Sequence, residues 1–161
     1  MRFARLAAAL LFSLIAYQGT AHAQNNKPIR SGNWYEDRAS SSGSYTVNLN
    51  LAQSPPDKLL NITRVACDVY TPLALVLAHV SLGGSTASGS GDLGRSQSIR
   101  GVSSPEISSS TRYYSIVTDS YLKLGPGRYP FIQFATAASG VGPTASNVVA
   151  DCTIVGNLSD D

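Results

Sequence analysis

The chain has 161 residues, 43% hydrophobic and 14% charged, with 14 Gly, 8 Pro, 2 Cys and a formal net charge of +2. That length fits one domain. The low charge, the scarcity of Cys and the lack of a heptad composition exclude a charge-rich disordered chain, a disulfide-dense miniprotein and a coiled coil.

Arg2 and Arg5 form a basic start, Leu6 to Tyr17 is almost wholly apolar, and Ala21-His22-Ala23 supplies small residues for cleavage. This three-part layout predicts a signal peptide over residues 1–23. The apolar run of 12 residues is shorter than the roughly 17–25 a membrane span needs. No Cys near the cleavage point suggests a lipid anchor, and the two Arg are too far apart for a twin-arginine signal. Cleavage after Ala23 removes two Arg and no acid, so the exported chain is formally neutral. Its ten Lys and Arg are scattered among acids, which leaves no basic stripe for nucleic acid or for an anionic membrane surface. The expected location is periplasmic or extracellular.

Residues 24–43 are polar, with Trp34-Tyr35 the only large apolar pair, and read as a loose N-terminal segment that docks through that pair. Ser44 to Leu51 alternates apolar and polar at period two, the mark of a half-buried strand. Lys58 to Tyr70 is a longer strand whose apolar residues shift from even to odd positions near Thr63-Arg64. One inserted residue there, a β-bulge, reconciles the two phases. Leu73 to Leu82 is apolar on both parities, and its bounds at Thr71-Pro72 and Gly83-Gly84 favour a strand over a helix. A Gly/Ser loop from Gly83 to Gly94 precedes weaker alternation in Arg95–Val102 and a Ser-rich stretch around Pro105 and Ser108–Ser110. Tyr113–Val117 and Tyr121–Leu124 read as two strands either side of Asp119-Ser120. Gly125-Pro126-Gly127 is a turn, and Pro130 places the start of the aromatic strand Arg128–Thr136 at an edge or a bulge. Asn147–Leu158 is the last strand.

About eight short strands without a helix predict an all-β domain over residues 44–158, a single antiparallel β-sandwich of jelly-roll type. No internal repeat suggests a propeller or β-helix. The opening Pro55-Pro56-Asp57-Lys58-Leu59-Leu60-Asn61-Ile62, the Gly-Pro-Gly turn into an aromatic strand, and the ending Cys152-Thr153-Ile154-Val155-Gly156 resemble a loose class of small secreted bacterial β-sandwich proteins. That class has no established activity, so the resemblance implies a fold and nothing catalytic.

Catalytic constellations are scarce. Gly89 to Gly94 matches G-x-G-x-x-G, but it lies in a Gly/Ser loop with no helix to follow, so it reads as a hairpin loop. His79, the one His of the exported chain, sits in an apolar strand without a G-x-S-x-G elbow elsewhere and reads as structural. The only Glu residues, Glu36 and Glu106, lie in loop-like segments with nothing to bring them together for glycoside hydrolysis. Glu36-Asp37 beside Trp34-Tyr35 has the composition of a sugar site. No calcium-loop spacing accompanies Asp92 or Asp160-Asp161, and Asn61 and Asn157 head sequons in form only. No metal, cofactor or catalytic residue is expected.

Among the aromatics, adjacent Tyr113 and Tyr114 must send one ring out of the sheet and one in. Exposed rings at Trp34, Tyr35, Tyr113, Tyr114 and Tyr121 are the candidate ligand platform. Cys67 and Cys152 both lie on the apolar parity of their strands and, in an exported protein, are expected to form one disulfide fixing both ends of the sandwich. The expected function is a non-enzymatic binding or envelope-associated module, its partner a glycan or envelope component. The alternatives are a small secreted glycan hydrolase using Glu36 or Glu106, and a structural or adhesive subunit assembling by edge-strand addition.

Overall fold

The computed structural model describes residues 27–43, 46–72, 74–82, 96–99, 104–136 and 148–160. The stretch expected to be a signal peptide, Tyr45 and the G-x-G-x-x-G motif lie outside them. The described chain is all-β. Its strands are β1 (Ile29–Ser31), β2 (Trp34–Gly43), β3 (Thr46–Asn50), β4 (Leu59–Thr71), β5 (Leu75–Leu82), β6 (Ser96–Ser98), β7 (Glu106–Ser108), β8 (Thr111–Leu124), β9 (Pro130–Thr136) and β10 (Val148–Ser159). Six form one antiparallel sheet in the order β1-β2-β10-β4-β8-β7, and four form a second in the order β3-β9-β5-β6.

Alternation builds the core. Along β10, Val148, Ala150, Cys152, Ile154, Gly156 and Leu158 are buried, while no residue between them is. They pack with Val65, Cys67 and Val69 of β4, Tyr114 and Ile116 of β8, and Val47, Leu49, Ile132 and Phe134 of the second sheet. Removing these side chains from water is the main force joining the two layers.

The phase slip in β4 is a real irregularity. Val155 pairs with Arg64 and Gly156 with Ile62, so Thr63 is the extra residue, and Thr63 and Arg64 are both exposed. Thr63 Oγ1 donates to the Val155 carbonyl at 3.3 Å. A Cβ on Gly156 would lie 2.2 Å from the Asn61 carbonyl oxygen, so the bulge is packed to the point where only glycine fits.

Several expectations need correction. The described part of the segment 24–43 is no loose leader: from Ile29 onward it forms β1 and β2, and β2 pairs with β10 over ten positions. Its inward positions are Tyr35, Asp37 and Ala39, too mixed to show as an apolar alternation. Gly32-Asn33, a two-residue hairpin turn with Gly32 at φ 57°, was the legible signal there. Residues 113–117 and 121–124 belong to one continuous strand, because Ser120 faces the interior and donates to Gln97 Oε1 at 3.1 Å. The Ser-rich stretch contains β7, joined to β8 through Ser109-Ser110, both at positive φ as a type I′ turn requires. Pro130 sits at neither an edge nor a bulge. It is the first residue of β9, and its carbonyl accepts from Leu51 N–H at 3.2 Å.

The Cys67–Cys152 disulfide is present, its Cα atoms 4.1 Å apart. It does not tie opposite ends of the sandwich. The two residues face each other across neighbouring strands of one sheet.

Candidate functional site

Strand registers align the outward residues of the six-stranded sheet into transverse rows. Ser40, Asp151, Asp68 and Ser115 stand side by side on β2, β10, β4 and β8. The next row is Arg38, Thr153, Ala66 and Val117. Because Ser, Ala and Thr are short, these two rows sink into a depression of about 460 Å³, with Ala39, Cys67 and Cys152 completing its lining.

Two carboxylates face each other here. Asp68 and Asp151 are direct cross-strand partners, and both are exposed. Like charges so placed cost a few tenths to 1 kcal/mol, roughly. The cost is not needed for packing. Arg38, on the adjacent row, is bound sideways to Glu36 through Nε and Nη2 at 3.1 and 2.9 Å.

On the other side of the carboxylate row lie Tyr70 and Tyr113, directly paired across β4 and β8. Their rings meet edge to face with centroids 5.4 Å apart, and both are partly exposed. Each stands two positions along its strand from the carboxylate row, about 7 Å.

The five candidate aromatics divide. Tyr113 and Tyr121 project outward and Trp34 is partly exposed, whereas Tyr35 and Tyr114 are buried and cannot form a platform. Tyr114 Oη accepts from Leu75 N–H at 3.1 Å, a structural link to β5. The exposed three are not brought together. Tyr113 and Tyr121 lie eight residues apart on one strand, roughly 27 Å, and Trp34 is three strand spacings, about 14 Å, from the β8 axis. Tyr70 had the same sequence signal as the others, outward parity on a strand, once the bulge at Thr63 is counted.

The Trp34-Tyr35-Glu36-Asp37 grouping also separates, since alternate residues of β2 face opposite ways. Asp37 is 2% exposed, with Oδ1 accepting from Arg38 N–H at 2.9 Å and Oδ2 from Ala52 N–H at 2.7 Å. Burial raises its pKa above the usual carboxylate range, against the pull of those two N–H groups and Arg30. Tyr35, whose buried hydroxyl has no hydrogen-bond partner among the described residues, is pushed well above the usual phenol value by burial and then by Asp37, with Arg30 opposing. Both are parts of the fold rather than of a site.

Glu36 and Glu106 are in strands, not loops, and stand on β2 and β7 with three strands between them. Four strand spacings, about 19 Å, exceed the roughly 5–10 Å of a glycosidase pair. His79 is in β5 opposite Gln133 and Ser98. Among the described residues no three His, Cys, Asp or Glu side chains gather as metal ligands, and no helix is long and apolar enough to cross a membrane. No protein-family model matches the chain, and neither does any curated protein.

Proposed function

We propose that this is an exported, non-enzymatic binding module that takes a hydroxyl-rich ligand, a glycan of the cell envelope or its surroundings, on the outer face of the six-stranded sheet. The observation that carries this reading is the opposed pair Asp68–Asp151 on the floor of a depression flanked by Tyr70 and Tyr113. Carboxylates accept hydrogen bonds from adjacent sugar hydroxyls, the small neighbours Ser40, Ser115 and Thr153 leave room for a ring, and an exposed aromatic face covers its apolar side. Ligand hydroxyls between the two carboxylates would also offset their repulsion.

A hydrolytic reading is favoured by one feature only: cross-strand partners have Cβ atoms about 5 Å apart, within the range of a catalytic carboxylate pair. Both acids stand on an open sheet face, without the enclosure that excludes water from a reacting bond. Binding is therefore the better account. Titration calorimetry of the purified protein against a panel of envelope polysaccharides and oligosaccharides tests it. At least one should bind, Tyr113→Ala and Asp151→Asn should each weaken it tenfold or more, and no cleavage product should appear. Binding unchanged in both variants would overturn the site, and released product would move the protein to the hydrolases.

A further inference from the structure

Strand registers extend the row of the two tyrosines on both sides. Ser42, Val149, Tyr70, Tyr113 and Glu106 stand side by side on β2, β10, β4, β8 and β7. Tyr113 therefore has an aromatic ring on one flank and the exposed Glu106 on the other. Asp68 lies two positions from Tyr70 along β4, on the same face, with Asp151 beside it. Three acids thus stand around a pair of rings set at 76° to each other. Among the described residues, the cations nearest in register face other groups. Arg38 holds Glu36, Arg64 stands opposite Asp119, and Arg112 donates to the Pro72 carbonyl.

What this arrangement asks of a ligand follows from its charge. A neutral ring laid over the depression takes water from Asp68 and Asp151, and their repulsion grows as the local dielectric falls. Hydroxyl donors offset part of that. A protonated amine between the two acids replaces the one repulsion by two attractions. The spacing suits it: cross-strand Cβ atoms are about 5 Å apart, and an ammonium nitrogen sits about 2.8 Å from each carboxylate oxygen it bonds. Its three donors serve both acids and the Ser115 hydroxyl next to Asp68. The tyrosine and carboxylate rows are about 7 Å apart, the reach of one sugar ring lying on Tyr70 and Tyr113 with an amino group toward the acids. Exposed tyrosine faces attract cations as well as apolar sugar faces, so the rings add to the selection. We infer that the glycan taken by the outer face is cationic, built of amino sugars whose amines are free rather than acetylated. Asp68 and Asp151 receive the amine, and Tyr70 and Tyr113 the ring. This inference rests on the glycan-binding reading above and names the class of glycan.

Calorimetry with one oligosaccharide in two forms tests it: a glucosamine trimer and the same trimer N-acetylated. Acetylation removes the charge and keeps the ring and the linkage. The free-amine form should bind at least tenfold more tightly at low salt. That preference should shrink between about 0.05 and 0.5 M salt, as screening shortens the reach of exposed charges. Asp151→Asn should weaken the free-amine form tenfold or more and leave the acetylated form within threefold, with melting temperature recorded to show that the variant is folded. Tyr113→Ala should weaken both forms. An acetylated trimer that binds as tightly as the free amine, or a preference untouched by Asp151→Asn, would overturn the inference and leave glycan binding standing. So would binding of a neutral envelope glycan by a protein that ignores the free-amine trimer. Spermidine binding as tightly as the free-amine trimer would mean capture of a cation without a sugar, and would overturn the glycan-binding reading instead. No binding by any glycan, charged or neutral, would overturn both.

Discussion

The two faces of the six-stranded sheet are made by the same strands and differ in what they ask of each residue. On the inner face, Val65, Cys67, Ile116, Cys152 and Ile154 are withdrawn from water and each fills a place that a neighbour defines. On the outer face the same strands set two carboxylates against each other and leave Tyr70, Tyr113, Val117 and Tyr121 in solvent. The inner face is explained by packing. The outer arrangement lowers stability slightly, and the proposed ligand site would account for it.

Variants of the inner layer should therefore be expensive. Replacing Cys67 and Cys152 together by Ala removes a bond spanning 85 residues of chain, for which the chain-entropy treatment gives at most about 4.5 kcal/mol. Loss of several kcal/mol in denaturant unfolding is expected; an unchanged midpoint would show that the strand ladder alone holds β4 to β10. Gly156→Ala should cost about 1–3 kcal/mol, because its Cβ meets backbone rather than a side chain that can move aside. Thermal melts read this directly, and a neutral result would mean that the bulge at Thr63 is adaptable.

How much of this was legible follows the strength of the alternation. β3, β4 and β10 carry apolar residues at every second place, and even the bulge showed as a change of parity at Thr63-Arg64. β2 did not show, because its inward places hold Tyr35, Asp37 and Ala39, and a buried Asp looks like a loop residue until its partners Ala52 and Arg38 are known. The disulfide was legible from parity and the expected export; its location within a single sheet depended on strand order, which no local pattern encodes. For the same reason Asp68 and Asp151, 83 residues apart in sequence, showed no relation until β4 and β10 were seen to be neighbours.

Asp37 gives a pH-dependent version of the comparison. Its pKa is higher in the folded chain, so the native state holds the proton more tightly than the unfolded one. The resulting stabilisation is complete below the ordinary carboxylate pKa and is lost as pH rises through the raised native value. In Asp37→Asn this component of the acid-range slope should vanish, which melting temperatures between pH 3 and 7 would show. A slope identical to wild type would mean that other carboxylates set it.

The smallest expected change in stability tests the central claim most directly. Asp68→Asn removes one of two opposed charges on the outer face, so the protein should become more stable by about 0.2–1 kcal/mol. Under the proposed function, its affinity for a glycan ligand should fall tenfold or more in the same preparation. Gain of stability together with loss of binding is the result expected of a residue kept for its ligand. A variant that melts lower than wild type and binds equally well would make Asp68 part of the fold, and the outer face an ordinary solvated surface.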